Sequence, residues 1–398
     1  MNEERIRQWV KQFGDAFYLL DTIQFRKNFL ELKEAFSVLY PNVALAYSYK
    51  TNYTPELCKI VNQLGGYAEV VSDMELEIAL RVGVPEEKII WNGPYKNYKK
   101  VEKFLLTGGT LHLDSVYEIP LIKEIAKKYP NRKIQVGIRV NFDIKDHVVS
   151  RFGFDILSKE FQEVLRLEEI ENIHIAGIHC HFASRNLETW KERTKQILKL
   201  IEETKIHPDY IDLGGGLFGR MAESLKKQFP CKIPTYQEYA KAVAQPFAEY
   251  FSGKDKPFLL LEPGSALVGD CMHFFSKVVN IKNVRGKVIA TLLGSVYNIN
   301  PTLNGKNPPI YIYPMGKKQK EYHDLDFGGF TCIESDYLYR HFDGVLAVGD
   351  MVEFGNVGSY SLVLKPPFIL PNFPVIDQEG TVIKQAECFE DLFHTFKF

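Results

Sequence analysis

The sequence predicts an α/β fold: a (β/α)8 TIM-like barrel followed by a β-rich C-terminal domain, a β-barrel or β-sandwich. Three observations support this. Short β-rich runs alternate with amphipathic helical stretches over the first two thirds of the chain, as βαβ units in a parallel sheet do. From about Phe25 to Glu262 there is room for roughly eight such units, enough to close a barrel. Beyond Glu262 the texture changes to strands separated by Gly and Pro turns. An open doubly wound sheet would show the same alternation. The expected boundaries are 22–262 for the barrel and 1–21 plus 263–398 for the β-rich domain.

Taken in order, the strand-like runs are "NVALAYSYK", "KIIWNGP", "TLHLDS", "KIQVGIRVN", "IHIAGIHCHF", "YIDLGGGL" and "PFLLLEPG". Between them lie "DMELEIALRVG", "VYEIPLIKEIAKKYP", "LETWKERTKQILKLIEET" and "TYQEYAKAVAQPFAEYF", which have helical period. The later strands are "HFFSKVVNIKNV", "KVIATLLGSVYNI", "PPIYIYP" and "DMVEFGNVGSYSL". With 398 residues, 45% hydrophobic and 25% charged, the chain can bury a large core. Its net charge of −1, with both signs interspersed, argues against a nucleic-acid partner or an anionic membrane surface. Six cysteines (58, 180, 231, 271, 332 and 388) form no CxxC pair, and no signal-like or long apolar segment opens the chain. A reduced, cytoplasmic protein is expected.

In a barrel of this kind the chemistry gathers at the carboxyl ends of the strands. Here those ends carry Lys50, Asn92, Asp114, Arg139 with Asn141, His179 with His181, the glycines Gly214, Gly215 and Gly216, and Glu262. A strand-end lysine is commonly a snorkelling or ion-paired side chain. Held out of water as a neutral amine, it can instead form a Schiff base with an aldehyde cofactor. Pyridoxal 5'-phosphate (PLP) needs three further things: a phosphate cradle, a group facing its ring nitrogen, and packing on its ring face. "DLGGG" offers backbone N–H groups that can approach a phosphate closely, although such a run also serves as a plain turn. Glu262 can pair with a protonated pyridine nitrogen, or cap a neighbouring helix. His179 and His181 share a strand face, but no HExxH or Cys/His spacing provides a third metal ligand, so no metal is expected.

The ordered set YSYKTN, "VVSDMELEIALRVGVPEEKIIWNGPYK", IRVN, SRFGF, GIHCHFAS, DLGGG, EPG, CIESD and VGSYS resembles the alanine-racemase-fold (fold type III) PLP-dependent decarboxylases. These are relatives of the diaminopimelate, ornithine and arginine decarboxylases. The resemblance runs from about Phe17 to Leu370 and implies a carboxy-lyase that removes the α-carboxylate of an amino acid. It also implies a homodimer with shared active sites. By position, Lys50 matches the Schiff-base lysine, His181 the imidazole on the ring, and Glu262 the acid at the ring nitrogen. Ser184, Gly214, Gly215, Gly216 and Tyr360 match phosphate-binding positions. Arg139 matches a cofactor-side arginine, with Glu69 at a position where relatives carry an acid. Cys332 matches the cysteine donated by the partner subunit, and Asp336 with Arg151 would bridge the subunits.

The chain departs from the family pattern in two places. Relatives commonly read EPGR, whereas this chain has Ser265, so the lost charge must come from N–H groups, the Ser265 hydroxyl or another cation such as Arg220. The residue after the cysteine is Ile333 where ornithine- and diaminopimelate-type enzymes place an acid, and Glu334 is displaced by one. "LLGSVYNINPTLNG" likewise lacks an Arg-Pro element that grips a distal carboxylate. The expectation is therefore a decarboxylase of a modified or conjugated amino acid, as in siderophore, polyamine or natural-product biosynthesis. Two alternatives remain at this point: an amino-acid racemase of the same fold, or a non-catalytic PLP-binding protein. The acid at 262 favours decarboxylation, because racemases of this fold are expected to set an arginine there.

Overall fold

The computed structural model describes residues 2–303 and 305–397. The chain divides into two compact units. One comprises residues 26–218 and 231–266; the other takes the N-terminal segment through Phe25, residues 219–230 and everything from Leu267 on.

The first unit is a closed barrel of parallel strands: β1 (Val43–Ser48), β2 (Tyr67–Val70), β3 (Ile89–Trp91), β4 (Thr110–Leu113), β5 (Ile134–Asn141), β6 (Ile173–His179), β7 (Tyr210–Asp212) and β8 (Phe258–Leu261). The neighbours pair in that order, and β8 closes on β1 with Leu259 opposite Val43. The alternating side-chain direction of a strand explains what the barrel contains. Ala44, Ala46, Ile90 and Leu260 form an apolar floor, with Tyr67, Tyr210 and Phe258 packed against it. Two residues further along the same faces the chain becomes polar: Ser48 and Lys50 after Ala46, Glu69 after Tyr67, Asn92 after Ile90, Asp212 after Tyr210 and Glu262 after Leu260.

Large rings near the floor need space, and glycine supplies it. A Cβ on Gly177 would lie 2.0 Å from Cζ of Tyr210, and one on Gly137 would lie 2.3 Å from both the Tyr210 hydroxyl and Cδ2 of His112. Removing those two side chains lets Tyr210 and His112 lie inside the barrel.

The outer helices follow the amphipathic stretches of the sequence. Leu187–Thr204 starts at Asn186, whose side chain accepts from the Thr189 N–H, and buries Trp190, Arg193, Thr194, Ile197, Leu200 and Ile201. Tyr236–Tyr250 begins with a reciprocal capping box between Thr235 and Glu238.

The second unit is a mixed sheet. Strand Met272–Val284 sits at its centre, antiparallel to Lys287–Leu292, to Met351–Phe354 and to the N-terminal strand Ala16–Leu20. Ala16–Leu20 also runs parallel to Val375–Asp377. Its core holds Ile6, Trp9, Phe17, Leu19, Phe275, Tyr313, Met351 and Ile376, with the Phe17 and Phe275 rings stacked 4.9 Å apart. Two long strands, Lys320–Gly328 and Tyr337–Leu346, pair antiparallel at one edge.

Candidate active site

The polar strand ends of the barrel form one connected network. Lys50 lies in the single 3-10 turn Tyr49–Thr51 directly after β1, and its Nζ sits 2.7 and 2.8 Å from the two carboxylate oxygens of Glu69. The ammonium is 30% exposed while Glu69 is fully buried, so the lysine reaches the barrel mouth with its counter-charge beneath it. Ser48 Oγ also donates to Glu69. The Asn92 amide donates to Glu69 Oε1 at 3.1 Å and to Glu262 Oε1 at 2.5 Å, tying the two acids together. Its Oδ1 must therefore accept, which puts the proton of His112 on Nδ1 (2.6 Å) and leaves His112 Nε2 to accept from the Tyr210 hydroxyl (2.9 Å).

His112 stacks on His179 with ring centroids 4.6 Å apart and planes inclined by 13°. His179 Nε2 approaches Glu262 Oε2 to 3.5 Å without hydrogen-bond alignment. The Gly215 N–H donates to His181 Nδ1 at 2.9 Å, which fixes the remaining proton of a neutral ring on Nε2. Burial first, then the surrounding cations, holds His179 and His181 well below the usual histidine range; for His112 burial again leads, then the neighbouring His179. All three are neutral imidazoles at pH 7. The buried Asp212 carboxyl is pushed well above the carboxylate range by desolvation and by Glu262 beside it.

His112, His179, Asp212 and Glu262 bring their ligand atoms within 4.8 Å of one another. Sequence spacing did not disclose this convergence, because barrel closure brings together residues 150 positions apart. Both nitrogens of His112 are already committed to Asn92 and Tyr210, and Asn92 in turn donates to Glu262, so His112 belongs to a hydrogen-bond chain that ends on Glu262 Oε1.

These residues fit PLP. Glu262 is 1% exposed, and its Oε2 has no hydrogen-bond donor among the described residues, leaving a buried acceptor for a ring N–H. Next to it, Gly214 and Gly216 have φ of +66° and +88°. A Cβ on Gly214, Gly215 or Gly216 would meet a backbone oxygen at 2.4, 2.5 or 2.7 Å, so only glycine allows the backbone this close packing.

The other predicted positions fall in several places. Arg139 pairs with Asp114 at 3.2 Å and lies over the Phe152 ring (4.6 Å); Arg151 covers the same ring at 4.1 Å from an exposed position. The Ser184 hydroxyl donates to Asp146. Cys332, Ile333, Glu334, Asp336 and Tyr360 belong to the second unit, as does Arg220, which is exposed. Asp336 is buried and ties its own turn to a distant one, accepting from Thr331 Oγ1 (2.6 Å) within the turn and from Val296 N (2.7 Å) outside it, while Cys332, Ile333 and Glu334 stand exposed on the turn. Tyr360 has φ +57°, an uncommon value for an aromatic residue. Sequence reasoning missed Arg193, Trp190 and His112, which act on the site from a helix face and from mid-strand.

A closed parallel barrel with a lysine, an unsatisfied acid and a glycine cradle at its carboxyl-end mouth, in a chain that also carries a separate β-rich unit, defines a PLP enzyme of the alanine-racemase type. The chain belongs to the pyridoxal-dependent decarboxylases: the family's pyridoxal-binding domain matches residues 23–269. It is 28% identical over 351 residues to a diaminopimelate decarboxylase of Aquifex aeolicus (84% of this chain, 79% of the relative). It is 26% identical over 412 residues to that of Methanocaldococcus jannaschii (96% and 91%). The crystal structure of the M. jannaschii diaminopimelate decarboxylase with L-lysine superposes with a TM-score of 0.86 at 24% identity, covering 98% of this chain and 94% of that one. A lysine/ornithine decarboxylase from Vibrio vulnificus has the same fold (TM-score 0.76, 20% identity, covering 95% and 98%). The protein is thus a PLP-dependent amino-acid decarboxylase, which sets aside the racemase and non-catalytic readings. Among the described residues no helix is long and apolar enough to cross a membrane.

Proposed function

We propose that the enzyme removes the α-carboxylate of an amino acid whose distal end is uncharged or conjugated, and that Lys50, His181 and Glu262 are its working groups. The observation that carries the catalytic part is Glu262 Oε2, a buried carboxylate oxygen without a donor among the described residues, in a site where Glu69 is fully engaged. When bound, PLP supplies a conjugated electron sink for the charge left by departing CO₂.

The chain's own residues hold that group and handle protons. Lys50 provides the amine that anchors the aldehyde. Glu69, in contact with Lys50 Nζ, is a base placed to take and return the amine proton. Glu262, held by Asn92, would accept from the ring nitrogen of bound PLP. His181, locked by Gly215, offers a neutral ring face. Arg139 shapes the neighbouring wall through Asp114 and Phe152, and the glycine loop would receive the phosphate of bound PLP.

Cys332, contributed by the partner of a homodimer, is proposed to return a proton to Cα. Ile333 beside it is proposed to set substrate choice: an apolar side chain cannot satisfy a buried distal ammonium, so a substrate with a free one is disfavoured. Purified holoenzyme assayed for CO₂ release on lysine, ornithine, meso-diaminopimelate and citryl-diaminopropionate decides the matter. Turnover is expected on the conjugate, and fast turnover of the first three would sink the assignment.

A further inference from the structure

Helix Leu187–Thr204 buries an arginine that the reading above leaves without a task. Arg193 is fully buried, with its guanidinium 3.9 Å above the Trp190 ring. Its Nη1 donates to the carbonyls of Leu213 (2.8 Å) and Gly215 (2.9 Å), and its Nη2 to that of Phe182 (3.3 Å). All three acceptors are neutral, and Nε has no acceptor among the described residues. Burial lowers the guanidinium pKa only to about 10, so the group carries its charge at neutral pH. Among the described residues no carboxylate pairs with it directly, and although Glu262 and Asp146 favour its charge from a distance, an anion bound nearby would stabilise it further.

The loop in front of it has the matching geometry. Trp190 Nε1 donates to the Gly216 carbonyl at 2.9 Å, so the carbonyls of residues 213, 215 and 216 are all drawn toward the helix. In a planar trans peptide the N–H points opposite the C=O, so the N–H groups of residues 214, 216 and 217 are turned away from the helix. That of Gly214 is taken by Asp212 (2.9 Å). Those of Gly216 and Leu217 meet no acceptor among the described residues, although Leu217 is 2% exposed. Two aligned, unpaired donors with a buried charge behind them form an anion seat.

We propose that Arg193 is a positioning residue for the cofactor phosphate: from behind the Gly214–Gly216 loop it provides the counter-charge that Ser265 cannot, and it aims the loop's N–H groups. The proposal rests on the PLP reading. It is tested by titrating apoenzyme with PLP and with pyridoxal, which lacks the phosphate, and comparing the ratio of the two dissociation constants among wild type, Arg193→Gln and Arg193→Lys. Arg193→Gln is expected to reduce the preference for PLP by about tenfold or more while changing pyridoxal affinity little, and Arg193→Lys, which keeps the charge, to retain it within about threefold. An unchanged ratio in Arg193→Gln overturns the proposal, because a merely structural arginine would weaken both ligands together. If Arg193→Gln does not fold, Arg193→Lys decides, and a collapsed ratio despite the retained charge overturns the proposal equally. A wild type without preference for PLP would instead refute the cofactor reading itself.

Discussion

Asn92 is the hinge of the site's electrostatics, since one amide group serves both Glu69 and Glu262. Removing it strips Glu262 Oε1 of its donor and loosens the carboxylate under Lys50. Asn92→Ala is expected to lower kcat by roughly ten- to a hundredfold, as loss of a supporting hydrogen bond commonly does. Asn92→Asp should be worse, because it sets a third carboxylate between two others. Steady-state CO₂ release by the two variants, with circular dichroism to confirm the fold, checks this order. Lys50→Ala is expected to abolish both the visible absorbance of the PLP-loaded protein and its turnover; retained absorbance would place the anchor elsewhere. Lys50, His181 and Glu262 were legible in the sequence because each ends a strand, where position alone predicts exposure to the barrel mouth. Arg193 was not, because it sits mid-helix in "TWKERTK", where an arginine ordinarily faces water.

Helix Asp73–Arg81 shows how an element's cap becomes a pH-sensitive feature. Ser72 caps it by accepting from the Glu75 N–H (3.2 Å), and the buried Glu75 carboxylate accepts from the Val71 N–H at 2.8 Å. Burial outweighs that hydrogen bond and raises the Glu75 pKa to about 7. With the folded value above the unfolded one, the unfolded chain releases the proton first. The contribution of Glu75 is most favourable below about pH 4.5 and declines as pH rises toward 7, a loss of up to about 3 kcal/mol. Glu75→Gln keeps an acceptor for Val71 without ionising, so its melting temperature relative to wild type should rise between pH 5 and 8; a constant difference across that range would show that Glu75 does not titrate there. At the floor of the barrel, Gly177→Ala drives a methyl into the Tyr210 ring and is expected to cost about 1 to 3 kcal/mol. Tyr210→Leu should relieve part of that cost, which a double-mutant cycle in urea measures. The sequence showed helices Asp73–Arg81, Ile119–Lys128, Leu187–Thr204 and Tyr236–Tyr250 through their apolar stripes, but not the shorter Pro55–Gln63 and Tyr98–Leu106. It did not single out strands Lys320–Gly328 and Tyr337–Leu346, whose interspersed charged residues and bulged pairing hide the period of two.

At the scale of the whole molecule, periodicity announced the barrel but could not show that residues 219–230 leave it to join the β-rich unit. There Gln228 exchanges hydrogen bonds with Asn307, a pairing between residues far apart in sequence. If the enzyme is a dimer with shared sites, mixing inactive Lys50→Ala and Cys332→Ala proteins should restore roughly a quarter of wild-type activity by random reassortment of a twofold assembly. No restoration would place Cys332 outside the partner's site. The same turn allows a direct test of substrate choice. Asp336 anchors it from within, and Ile333 is 38% exposed, so Ile333→Glu replaces a side chain that contributes little to the fold and should shift stability by less than about 1 kcal/mol. The new carboxylate would be able to pair with a substrate's distal ammonium, a contact the wild type lacks. Its kcat/KM for ornithine or meso-diaminopimelate is expected to rise about tenfold or more, with a matching loss on substrates whose distal end is uncharged. A variant that folds, binds PLP and shows no change in this preference would mean that residue 333 does not face the substrate.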